Sequence, residues 1–222
     1  MLFRSVFVGN AIKNGCETLL TALKKSNGKY RTYDEMVAEG LPLKYKGSWA
    51  SSMCTNCDPK TAQGNPFPVY MYGIFMAEVE VDIKSGKTKV DALTLVADIG
   101  RINNKLVVDG QIYGGLAQGV GLALSEDFED YELHSTMLGA GIPYAKDVPD
   151  NINIMYVETP RDNGPFGAAG VGELPLTAPH AAIGNAIKHA TRVRIYNLPA
   201  RPPKVLAALK EKEKATPVAV IG

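Results

Sequence analysis

The sequence predicts a mixed α/β fold, with mainly antiparallel strands packed against about three helices. Three observations predict it. Residues 69–99 contain a run in which apolar and charged positions alternate with a period of two. Residues 8–25, 109–125 and 177–190 repeat their apolar side chains at helical spacing. Composition is that of a globular protein, 45% hydrophobic and 21% charged, and argues against wholesale disorder. The 222 residues suffice for one large domain or two small ones.

The first helix is expected over residues 8–25. Ile12, Cys16, Leu19, Leu20 and Leu23 fall on one face, Lys24 and Lys25 suit the C-terminal dipole, and Asn27-Gly28 stops it. Residues 29–68 are loop-rich, with a short helical patch around Tyr33–Glu39. In VYMYGIFMAEVEVDI, Val79, Val81 and Ile83 point one way and Glu78, Glu80 and Asp82 the other. Lys84–Lys87 is turn material and TKVDALTLVAD a second strand, which together read as an antiparallel hairpin. Its upstream half, VYMYGIFMA, is apolar on both faces and is expected to be buried on both.

A second helix is expected over 109–125 with Asp109 as its N-cap, then a charged loop, then a strand over 151–158. Residues 159–175 form a long Gly/Pro loop. Thr177 is expected to cap a third helix reaching about Ala190, VRIYNLPA to form a short strand, and PPKVLAALKEKEK a last short helix. The remainder, from 212 to 222, reads as a loose tail.

Charge and cysteine usage narrow the function classes. Lys plus Arg is 24 against 23 for Asp plus Glu, so no basic excess points to nucleic acid. No apolar run reaches the roughly 18 residues of a membrane helix. The start, MLFRSVFVGN, has too short an apolar stretch for a secretory signal. Three cysteines cannot build a disulfide framework, which fits a cytoplasmic location.

Two segments carry candidate chemistry. In DGQIYGGLAQGVGLAL, Gly110, Gly114, Gly115, Gly119 and Gly121 weaken a helix by about 0.5–1 kcal/mol each relative to Ala. Close approach of another backbone or of a ligand would offset that. Gln111 and Gln118 are seven apart and share a face, and their amides suit a heterocycle with mixed donors and acceptors. The alternative is a tightly packed helix with exposed glutamines. In GPFGAAGVGELPLTAPH, Gly170, Val171 and Gly172 lead into the single carboxylate of Glu173. An apolar surround of Val171, Leu174 and Leu176 would raise its pKa and make it a general base. Alternatively, Glu173 is simply an acidic residue favoured at a helix N-terminus. Cys54-Thr55-Asn56-Cys57 could bind metal or exchange disulfides, but no second pair completes a zinc site. His134, His180 and His189 show no ligand spacing, and no metal ligands are assigned.

DGQIYGGLAQGVGLALSEDFED and RDNGPFGAAGVGELPLTAPHAAIGNAI resemble the C-terminal part of the molybdenum-binding region of the xanthine oxidase family, most like its aldehyde oxidoreductase branch. VGNAIKNGCETLLTALKK, YRTYDEM and VYMYGIFMAEVEVD resemble segments of that family in the same order, so the likeness runs roughly from Gly9 to Leu209. The resemblance implies that residues 1–222 form part of a larger molybdenum-cofactor-binding domain, incomplete at the N-terminal side. It implies oxidation of a small-molecule aldehyde with water to a carboxylic acid. Glu173 would be the base that takes the proton of the Mo–OH nucleophile, and Gln111 would contact the pterin. Gln118, Gly114 and Gly115 on the helix, and Gly170, Val171 and Gly172 before the glutamate, would complete the cradle. The implied cofactor is molybdopterin cytosine dinucleotide with molybdenum. Electrons would leave through [2Fe–2S] clusters on a further segment or companion subunit, since two clusters need eight thiolates. The full enzyme would be a homodimer. A purine or heterocycle hydroxylase and a non-catalytic remnant remain alternatives, the latter because MLFRSVFV replaces the polar, Gly-rich loop expected before the first helix.

Overall fold

The computed structural model describes residues 3–215. These divide into two compact units. The first comprises the residues up to Met71 with Ile99–Asn103 and Glu158–Gly170, and the second Tyr72–Asp98, Asn104–Val157 and the chain from Val171 on.

In the first unit a π-helical stretch, Phe3–Val8, runs into helix α1, Gly9–Leu23. The buried residue of α1 is Asn10, whose Nδ2 donates to the Asn163 carbonyl at 2.8 Å. The expected apolar face is not buried: Ile12, Cys16 and Leu20 are all exposed. The amphipathic pattern is present, but these residues supply no layer to cover it. Asn27-Gly28 turns the chain as expected, with Gly28 at φ +80°. Helix α2, Tyr33–Ala38, is fixed by a reciprocal capping box between Thr32 and Glu35.

The second unit is built on a three-stranded mixed sheet. Strand β1, Tyr72–Val81, pairs antiparallel with β2, Thr88–Asp98, which pairs parallel with β3, Asn151–Val157. The mixed α/β class stands, with one parallel strand pair here and five α-helices among the described residues of both units. The hairpin turn is held by Asp82, whose Oδ1 accepts from the Lys84 amide and whose Oδ2 accepts from Ser85 Oγ at 2.6 Å. Ile83 lies in this turn rather than in the strand and is exposed.

One sheet face, with Leu93, Leu95 and Ala97 fully buried, packs toward helices α3, Lys105–Leu124, and α4, Pro179–Thr191. The other face carries Tyr72, Ile74 and Met76 on β1 and Met155 and Val157 on β3. They are exposed, Ile74 at 64% and Met155 at 51%. The expectation that the upstream half of β1 is buried on both sides is therefore corrected. Its composition is that of a two-sided strand, yet only one side is covered here.

Helix α3 begins four residues before the expected start. Its cap is Asn104, whose Oδ1 accepts from the Val107 amide, and Asp109 lies inside the helix. Helix α4 starts at Pro179 after Ala178, and Thr177 instead donates its hydroxyl to the Leu174 carbonyl at 2.8 Å. VRIYNLPA forms no strand, since no described neighbour offers it a ladder. Helix α5, Pro202–Ala215, extends into the region expected to be a loose tail, and residues 216–222 lie outside the described residues. No described helix is long and apolar enough to cross a membrane.

Candidate functional site

Helix α3 has two different glycine faces. Gly115 and Gly119 form notches against prolines: a Cβ on Gly115 would sit 2.6 Å from Pro175 Cβ, and one on Gly119 would sit 2.1 Å from Pro179 Cγ. The glycines are four apart, and so are the prolines, so each proline drops into α3 one helical turn after the other. Gly121 packs similarly against Pro143 and the Glu126 carboxyl, which burial pushes above its ordinary value. These contacts are internal packing and account for three of the five costly glycines.

Gly110 and Gly114 have no such neighbour, because a Cβ on either meets nothing within 4 Å. They lie with Gln111 and Gln118 along one exposed side of α3. Neither glutamine side chain makes a hydrogen bond among the described residues. A helix side that combines bare backbone with unspent amide donors and acceptors is suited to a flat, polar, heteroatom-rich group lying against it.

Glu173 stands at the head of a single 3-10 turn, Leu174–Leu176. Leu174 and Pro175 are buried, Leu174 against Gly73 of β1 and Pro175 in the Gly115 notch, while Glu173 itself is exposed. The packing of its two successors thus fixes the backbone that carries the carboxylate. The raised pKa expected from Val171, Leu174 and Leu176 does not arise, since Leu174 points into the core rather than around the carboxylate. Glu173 is also six residues before α4, so it is not an acidic residue of that helix's first turn.

The structure therefore brings Gly115 to the turn that bears Glu173 and sets Gln111, Gly114 and Gln118 on the open side of the same helix. Gly170 is buried, and Val171 and Gly172 are half-buried in the run leading to Glu173. The glycine–proline notches were missed from sequence, although the matched spacings of 115/119 and 175/179 were visible there. Cys54 and Cys57 are free thiols, with Cys54 Sγ 3.1 Å from Ser51 Oγ. Among the described residues no His, Cys, Asp and Glu cluster could hold a metal ion.

Residues 3–149 match the model of the molybdopterin cofactor-binding domain. The chain belongs to that family. The matched stretch includes Gln111, Gly114, Gly115 and Gln118 and stops short of Glu173. The aldehyde oxidoreductase of Megalodesulfovibrio gigas is 61% identical over 207 residues, covering 93% of this chain and 23% of that protein. The crystal structure of the aldehyde oxidoreductase from Desulfovibrio desulfuricans superposes with a TM-score of 0.89 at 59% identity, covering 92% of this chain and 22% of that one. The large subunit of nicotine 6-hydroxylase from Paenarthrobacter nicotinovorans is 34% identical over 149 residues, 64% of this chain and 18% of that subunit. The chain thus spans about a quarter or less of the length of these relatives.

Proposed function

We propose that this chain supplies one wall of the active site of a molybdenum hydroxylase that oxidises an aldehyde with water to a carboxylic acid, two protons and two electrons. The observation that carries the reading is the open Gly110–Gln111–Gly114–Gln118 side of α3 in a chain 61% identical to an aldehyde oxidoreductase. A molybdopterin fits that side: its fused heterocycle needs donors and acceptors, which Gln111 and Gln118 have unspent, and close backbone approach, which Gly114 leaves free. Gly115 acts through the Pro175 notch, and Gly170, Val171 and Gly172 line the approach to Glu173. The bound molybdenum group supplies two-electron redox chemistry and oxygen transfer.

Glu173 accepts a proton on a carboxylate oxygen as the hydroxyl nucleophile attacks the carbonyl carbon of the aldehyde. An exposed carboxylate is ionised at neutral pH, the form a base requires. We assign the cytosine dinucleotide form of the cofactor, and electron exit through [2Fe–2S] clusters on polypeptide outside these residues, because three cysteines fall short of the eight needed. A cytoplasmic setting and a homodimeric full enzyme belong to the same reading. Heterocycle hydroxylation is the second reading, and the gap between 61% and 34% identity favours the aldehyde.

The test is metal and mass analysis of the native protein carrying the GVGEL peptide, with aldehyde-dependent reduction of a dye. A longer polypeptide or tight complex with molybdenum and iron that reduces the dye is expected. A species of this length without molybdenum would make the chain a remnant.

A further inference from the structure

We infer that Asp109, Tyr156 and Lys105 form a tie that fixes the turn of α3 displaying Gln111, making Asp109 and Tyr156 positioning residues for that glutamine. The inference rests on the reading of Gln111 given above.

The turn needs such a tie. Leu106 and Val107, in the first turn of α3, are 82% and 58% exposed, so apolar packing holds this end weakly. Gly110 follows, a poor helix former with no neighbour around it. Firm packing begins at Ile112, which is fully buried. Between these points stands Asp109, whose two carboxylate oxygens are both used. Tyr156 Oη donates to Oδ1 at 2.5 Å, and Lys105 Nζ donates to Oδ2 at 2.6 Å. The Lys105 ammonium also lies 5.4 Å from the centre of the Tyr156 ring, so the three groups close on one another. These are charge-assisted bonds, the stronger kind.

The geometry directs the constraint at Gln111. Tyr156 belongs to β3, so the tie anchors α3 to the sheet rather than to itself. Residues 109 and 111 are two apart, about 200° around a helix. Pinning Asp109 against β3 therefore turns Gln111 outward, to the open side. The hydrogen bonds of Lys105 and then Tyr156 hold the Asp109 carboxyl below its ordinary value, while burial and then Asp109 push the Tyr156 phenol up. Donor and acceptor keep matching protonation states across the neutral range. The tie is present above the ordinary Asp109 pKa of 3.8 and is lost only as pH falls through the lowered one.

The test uses the assembled molybdenum enzyme containing this chain, with Tyr156→Phe, Asp109→Asn and Gln111→Ala variants. Tyr156→Phe keeps the ring and its contact with Lys105 and removes only the hydroxyl, so folding is preserved. Three quantities are measured: pterin content per chain, amide hydrogen exchange over 107–112, and the midpoint of thermal unfolding. Tyr156→Phe and Asp109→Asn are expected to speed exchange of that turn about tenfold, the effect of losing one charge-assisted hydrogen bond. Pterin content should fall several-fold, with the unfolding midpoint lowered by no more than a few degrees. Gln111→Ala should lose pterin with exchange unaltered. If Gln111→Ala loses pterin while the other two keep both pterin and wild-type exchange, the tie is overturned and the reading of Gln111 stands. If Gln111→Ala keeps its pterin, that reading fails, and with it the positioning role, whatever the exchange rates show.

Discussion

Replacing Glu173 by Gln in the assembled enzyme is expected to lower the rate of aldehyde oxidation by about 10²–10⁴-fold, the usual contribution of a positioned general base. Molybdenum and pterin contents should stay at wild-type levels. The amide matches the carboxylate in size but cannot accept the proton. The substitution should spare the fold, because the neighbours Leu174 and Pro175 are the buried anchors of the turn and Glu173 is exposed. Steady-state rates with an aldehyde substrate, set beside metal analysis of the same sample, check both halves. Undiminished turnover would remove Glu173 from the base role and leave its segment a packing element.

The glycines of α3 should divide into two classes when substituted. Gly119→Leu puts a Cβ 2.1 Å from Pro179 Cγ and 2.8 Å from Pro179 Cβ. Pro179 is the first residue of α4, and its ring cannot rotate away, so α3 and α4 must separate. A destabilisation of about 1–3 kcal/mol is expected, the range for overpacking a close contact. Gly114→Ala meets nothing within 4 Å, and helix propensity alone should stabilise the chain by about 0.5–1 kcal/mol. Denaturant unfolding of the two variants beside wild type measures both. Equal effects of the same sign would mean that the two faces of α3 are not distinct.

Those two classes also show where sequence reasoning reached its limit. Five glycines in sixteen residues announce a close approach, but a glycine facing a proline and one facing open space look alike in a string of letters. Only the fold shows that Gly115 and Gly119 receive Pro175 and Pro179 while Gly110 and Gly114 receive nothing. The alternation in AEVEVDI and NINIMYV was legible because period two is imposed by the pleat itself. VRIYNLPA misled because strand propensity is realised only beside a partner strand, and none is available among the described residues. Asn104 was overlooked as a cap because KLVVD, which follows it, has no one-sided apolar pattern. Ile12, Cys16 and Leu20 on α1, and Ile74 and Met155 on the sheet, are exposed because no layer covers them among the described residues. Relatives about four times as long have the chain length to supply one.

The central claim is that the open side of α3 is kept bare for the molybdopterin. Its most direct test is the Gly114→Leu substitution, read as pterin and molybdenum content of the assembled enzyme. Unfolding of the isolated chain serves as the control. The expected result is an isolated chain at least as stable as wild type, because Leu is a good helix former and the site is empty of neighbours, together with an assembled enzyme that has lost its cofactor. An assembled Gly114→Leu enzyme with wild-type pterin and molybdenum would contradict the account and place the cofactor elsewhere.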